Sequence, residues 1–162
     1  MIRLAVGADE KTPVAEAVPA ELQRPGHEVI VFGALAGEKL LWPTVARQVA
    51  ETVARGEADE GVLFCWTGTG VSLAAKKVPG IRAALCEDGE TARSARLWNK
   101  ANVLCLFLRH TAEPVSKEIL DAWFNNAYKP NPEDDEALWQ IEELESTYRP
   151  GQAGNPVESR AR

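Results

Sequence analysis

The sequence predicts an α/β fold: a parallel sheet of five short strands with helices on both faces. Two observations carry this. Short apolar runs, bounded by Gly, Pro, Asn or Asp, read as buried strands. Between them lie stretches with apolar residues at helical spacing, and that alternation is the pattern of a parallel sheet covered on both sides. With 162 residues and 45% apolar side chains, the chain suits one domain with a proper core.

The elements follow in order. Ile2–Val6 is the first strand and Thr12–Gln23 the helix after it. Glu28–Phe32 leads to Pro43–Arg55, where Val45, Val49 and Val53 share one helical face. Gly61–Cys65 precedes Gly70–Lys77, Ile81–Cys86 precedes Asp88–Trp98, and Asn102–Phe107 precedes Ala112–Asn126. Ligands of such sheets gather beyond the carboxyl ends of the strands, where this reading puts Asp9, Cys65 and Asn99. Tyr128–Glu136 is a Pro- and acid-rich break. A last helix, Glu133–Tyr148, carries Leu138, Ile141 and Leu144 on one stripe, to be packed on a partner subunit or on its own domain. From Pro150 onward the chain is polar and Gly/Pro-rich, and disorder is expected. The expected organisation is therefore a domain over 1–128, a helix over 129–149 at a subunit interface, and a tail over 150–162.

Composition excludes several functions. A net charge of −6 without a basic stripe argues against nucleic-acid binding. No apolar run approaches the ~18 residues that span a bilayer. The opening residues read as a strand rather than a secretory signal, so a cytoplasmic location is expected. Cys65, Cys86 and Cys105 lack CxxC spacing and only two histidines occur, His27 and His110. Neither a zinc site nor a disulfide framework is expected.

Chemistry concentrates in Gly61-Val62-Leu63-Phe64-Cys65-Trp66-Thr67-Gly68-Thr69-Gly70-Val71-Ser72. An apolar strand ends on a thiol, and a glycine-rich turn then opens a helix. Gly68 and Gly70 let N–H groups point at an anion, and a helix start favours a thiolate. A proton α to a carbonyl is weakly acidic, so its removal needs a base and a stabiliser of the enediolate. Bland readings stand beside this one. Cys65 alone could be core filler, and Cys86 and Cys105, without such a turn, are read as core thiols. Asp9 could cap Thr12–Gln23, and Asn99 could close a turn. Lys76 and Lys77 suit a solvated helix end, and Trp42, Trp66 and Trp98 could be packing residues.

The chain resembles the ribose-5-phosphate isomerase B / galactose-6-phosphate isomerase family over roughly Met1 to Tyr128. The matching stretches are Val6-Gly7-Ala8-Asp9, Cys65 through Ser72, Ala74 through Ala83, Asn99, and Asn102-Val103-Leu104. The resemblance implies a Rossmann-like three-layer sandwich and a homodimer or tetramer with interfacial sites. It also implies a sugar or sugar-phosphate substrate, and neither metal nor organic cofactor. In the roles it implies, Cys65 carries a proton between C1 and C2 through an enediolate, and Asp9 handles sugar hydroxyls. Thr67, Gly68, Gly70, Val71 and Ser72 supply N–H groups and hydroxyls. Asn99 comes from the neighbouring subunit, and Arg109 lies near the phosphate.

The departures from the family fall on the site. Glu10 and Trp98 stand where the family has histidines, Trp42 where it has tyrosine, and Trp66 where it has glycine. Phe107-Leu108-Arg109 replaces a Gly-Ser/Gly-Arg ending, and Lys129 through Glu136 offers no match for phosphate-binding arginines. Indoles and carboxylates replace cations, which suits the C–H faces of a sugar better than a phosphate dianion. The expectation is an aldose–ketose isomerase with specificity moved from ribose 5-phosphate, in which burial makes Glu10 an acid–base group. The alternative is a non-catalytic sugar or small-molecule binder on the same scaffold. A dinucleotide site lacks its Gly-x-Gly-x-x-Gly turn after the first strand.

Overall fold

A computed structural model describes residues 1–149; the expected tail over 150–162 lies outside the described residues. The strands are β1 (Ile2–Ala8), β2 (His27–Gly33), β3 (Glu60–Cys65), β4 (Ala83–Leu85) and β5 (Val103–Phe107). The helices are α1 (Pro13–Leu22), α2 (Trp42–Ala54), α3 (Thr69–Ala75), α4 (Gly89–Asn99), α5 (Glu113–Phe124) and α6 (Pro132–Thr147). The strands form one parallel sheet in the order β2-β1-β3-β5-β4. This is the predicted α/β sandwich.

Strand alternation builds two cores. Leu4, Val6 and Ala8 of β1, Val62 and Phe64 of β3, and Leu104 and Leu106 of β5 pack under α1, α4 and α5. Ala5, Leu63, Cys65, Val103 and Cys105 face α2 and α3. Period-two alternation sends successive side chains to opposite faces, so both faces need apolar residues. Gly7 and Gly61 sit where α2 presses closest: a Cβ on Gly7 would lie 2.7 Å from Val45 Cγ1, and one on Gly61 2.8 Å from Val49 Cγ1. The strand's missing methyls are what let α2 seat its valines.

Several elements are shorter than expected, and in two the cause is visible. Edge strand β4 pairs only with β5, over Ala83–Leu85, because Gly80 at φ +84° and the Ile81 N–H donating to Val78 O hold the start in a turn. Helix α3 stops at Ala75, and Lys77 N–H and Val78 N–H tighten it by donating to Ala74 O and Ala75 O. Lys76 and Lys77 are solvent-exposed.

The first compact unit ends at Tyr128. In the second, α6 starts on an Asn131 cap, whose Oδ1 accepts from Asp134 N–H at 2.9 Å. Glu133, Asp134 and Asp135 place negative charge at the positive end of its dipole. None of its residues is buried, and Trp139, Ile141 and Leu144 are each more than half exposed. Among the described residues no helix is long and apolar enough to cross a membrane.

Candidate active site

Chain reversal in the sheet makes the site. After β1 the chain turns to α1 on one face; after β3 it turns to α3 on the other. Adjacent strands whose connections part in this way leave a crevice at their carboxyl ends. Ala8 is in register with Phe64, and Cys65 with Phe107. Asp9, Cys65 and Phe107 therefore stand side by side on neighbouring strand ends, roughly 5 Å apart along the backbone.

Cys65 is the one cysteine with any accessible surface, 5% against 0% for Cys86 and Cys105. Burial pushes the Cys86 thiol up to about 12 and drives that of Cys105 higher still. Both are core thiols, as the sequence indicated.

The turn after Cys65 is held by its own backbone. Cys65 O accepts from Gly68 N–H at 3.1 Å and from Leu108 N–H at 3.0 Å; Trp66 O accepts from Arg109 N–H at 3.0 Å. Gly68 caps α3 at φ +68°, and a Cβ there would lie 2.4 Å from Leu85 Cδ1 and 3.1 Å from Leu106 O. Only glycine fits. A glycine cap offers no side-chain acceptor, so the first amides of α3, those of Thr69, Gly70 and Val71, have no intrahelical partner. Thr67 and Thr69 are exposed, their hydroxyls 2.7 Å apart. Trp42 opens α2 and lays its indole against Gly70. Trp66 is 56% exposed.

Asp9 does not cap α1. Thr12 does, its Oγ1 accepting from Ala15 N–H at 3.4 Å. Asp9 Oδ1 is buried without a hydrogen-bond partner. Burial is the main cause that raises its pKa and the neighbouring Glu10 adds to it, while the Asp9 and Glu10 amides pull the other way. Glu10 itself is exposed, so the burial on which its acid–base role depended falls on Asp9 instead.

Two further expectations need correction. The Ser72 side chain is buried beneath the turn, so its hydroxyl belongs to the core rather than the crevice; the Val71 side chain is buried too, while its amide stays among those that open α3. Asn99 is not at the carboxyl edge. It ends α4, which runs back along the sheet, and both it and Trp98 lie exposed at the amino edge. There Arg96 Nη2 donates to Glu60 Oε1 at 2.6 Å, at the first residue of β3. Cys65 is the last residue of that strand, roughly 17 Å away along it. Sequence order put Asn99 near the site; the helix's direction takes it away.

The same edge holds a polar cluster that sequence reasoning missed. Glu60 accepts from Arg96 and from Trp123 Nε1, and the Arg96 guanidinium lies 5.0 Å over the Trp123 ring. Burial raises the Glu60 pKa, opposed by Arg96 and Trp123. No local pattern links these three positions. His110 follows β5 at the opposite, carboxyl edge. Its ring lies 4.7 Å from that of Phe107, in the turn that Leu108 and Arg109 fasten to the Cys65 loop. Arg109 is exposed in that turn.

Residues 4–141 match the family model described as Ribose/Galactose Isomerase. The chain is 38% identical over 153 residues to the galactose-6-phosphate isomerase subunit LacB of Clostridium acetobutylicum, covering 94% of this chain and 88% of that one. It is 34% identical over 131 residues to the D-erythrulose-4-phosphate isomerase of Pectobacterium atrosepticum, covering 80% and 86%. The ribose-5-phosphate isomerase B structure from Clostridium thermocellum superposes with a TM-score of 0.85 at 34% identity, over 91% of this chain and all of that one. On sequence and fold together, the chain belongs to the ribose/galactose isomerase family.

Proposed function

We propose that the protein interconverts an aldose and a ketose, with the Cys65 thiolate carrying a proton between C1 and C2 through an enediolate. The observation that carries this is the row Asp9, Cys65, Phe107 across the crevice, with Cys65 the only cysteine that reaches surface. The thiolate takes the proton from C2; charge grows on the C1 oxygen; the first amides of α3 and the Thr67 hydroxyl are the donors nearest that charge. The O2 proton passes to O1, and the thiol returns its proton to C1 as the C2 carbonyl forms. Asp9, short of a hydrogen-bond partner, is matched to a sugar hydroxyl.

The substrate is a sugar or sugar phosphate. Relatives act on galactose 6-phosphate and D-erythrulose 4-phosphate by name. Trp42 and Trp66 at the rim, with exposed Glu10 beside Asp9, support a specificity moved from ribose 5-phosphate. Trp98 and Asn99, at the far edge in their own chain, serve the site from a second copy. The C-terminal helix, with its exposed Trp139, Ile141 and Leu144, is a further surface for that copy.

Proton exchange in deuterated water, across tetroses, pentoses and hexoses, free and phosphorylated, tests this. Wild-type protein is expected to place deuterium in at least one sugar other than ribose 5-phosphate at a higher rate, and Cys65→Ala to lose it about 10³-fold or more. Ribose 5-phosphate as the best substrate overturns the changed specificity. Thermal stabilisation by a sugar without any exchange favours a binding protein instead.

A further inference from the structure

We propose that the cavity between the first turns of α1 and α5 is the subsite for the hydroxyl-bearing carbons of the sugar beyond C2, and that the Thr111 hydroxyl hydrogen-bonds one of those hydroxyls. The proposal rests on the isomerase reading and says where the rest of the substrate lies once C1 and C2 meet Cys65. Topology sets the position. From β3 the chain leaves toward α3. From β1 and β5, on either side of it, the chain leaves toward α1 and α5 on the opposite face. The space over the end of β3 on that face is therefore left open, between two helix starts.

A cavity of about 450 Å³ occupies it, within the size range of small-molecule sites. Leu108, one of its walls, donates its N–H to Cys65 O at 3.0 Å, so the cavity is fastened to the turn that carries the thiol. Thr111 lines it too. That residue is 8% exposed, and its hydroxyl has no hydrogen-bond partner among the described residues. By contrast, the buried hydroxyls of Thr52 and Ser116 donate to Gln48 O and Glu113 O. A polar group so enclosed ordinarily has a partner. The surface Thr111 keeps opens on the cavity, where a sugar hydroxyl can both give and accept.

The lining suits a hydroxyl better than a phosphate. Pro13 and Pro114 carry no N–H in the first turns, where an anion would look for donors. Thr12 Oγ1 already accepts from Ala15 N–H. Glu113 is the charged residue of the lining and sets a carboxylate at the positive end of α5. Val14 and Leu108 offer apolar surface to C–H groups. Neutral carbons bearing hydroxyls match both kinds of wall, and a phosphate, where the substrate has one, stays outside the cavity.

Deuterium incorporation reads the subsite directly. The probes are D-erythrose, D-ribose and D-galactose, free and as terminal phosphates, each beside its monodeoxy analogues lacking one hydroxyl beyond C2. Thr111→Val keeps the size of the side chain and removes its hydroxyl. It is expected to lower kcat/KM about 10-fold or more for the probe that wild type exchanges fastest, and Thr111→Ser to restore most of that loss. One deoxy analogue is expected to be as slow with wild type as with Thr111→Val, because the hydrogen bond is then missing in both. An unchanged kcat/KM in Thr111→Val overturns the proposal. So does an equal loss on the parent sugar and on every deoxy analogue, which marks a merely structural role. Either result leaves the isomerase reading standing. A wild type that exchanges none of the probes overturns that reading, and the subsite with it.

Discussion

Asp9 is a carboxylate whose negative charge meets little that welcomes it. Its Oδ1 is buried and unpartnered, and Glu10 follows directly. The folded chain holds the Asp9 proton more tightly than the unfolded chain does. Stability therefore falls as pH rises from the ordinary carboxylate range, about 4, through the raised folded value, and stays lower above it. Asp9→Asn is expected to raise the melting temperature at pH 7, with the gain closing as pH drops below that range. A gain that stays constant with pH would refute the account. Gly68 is the second pivotal residue. Gly68→Ala forces a Cβ onto Leu85 at a left-handed φ, which is expected to cost about 1–3 kcal/mol in chemical unfolding.

At the scale of elements, the amino edge of the sheet is tied by a largely enclosed, half-buried ion pair. Glu60 and Arg96 are 16% and 14% exposed, and Trp123 completes the cluster. Arg96→Ala strands Glu60 in a low-dielectric site and is expected to cost about 3 kcal/mol, read from urea midpoints. Elements were also what the sequence showed best. The strands alternate cleanly with amphipathic helices because both sheet faces are covered, and observed ends differ from expectation by a residue or two. The Cys65 turn was legible because a strand ending on a thiol before Gly-x-Gly is a local pattern. What was not legible is where Asn99, Ser72 and Glu10 lie within their own chain, because that depends on other elements: the direction of α4 puts Asn99 at the amino edge, the Ser72 side chain is buried beneath the turn, and Glu10 is exposed beside a half-buried neighbour. The Glu60–Arg96–Trp123 cluster joins three elements far apart in sequence, and no periodicity announces it.

At the scale of the whole molecule, the two sheet edges are too far apart for one chain to bring Cys65 and Asn99 together. If both serve one crevice, as proposed, two copies must build it. In a two-fold dimer, Cys65→Ala and Asn99→Ala chains are each expected to be nearly inactive. Unfolded together and refolded, half the dimers are mixed and each regains one intact crevice, so about one quarter of wild-type activity returns. No recovery on mixing would place both groups' work within a single chain.

The bare backbone at Gly7 and Gly61 has an effect far from where it sits. Helix α2 rests directly on those two strand positions, and its first residue is the indole that walls the crevice at Gly70. A methyl added beneath the helix would jack up its whole length, carrying Trp42 with it. Natural variation at two buried, chemically mute positions is thereby a route to retuning which carbohydrate is admitted, without touching a single group that meets it.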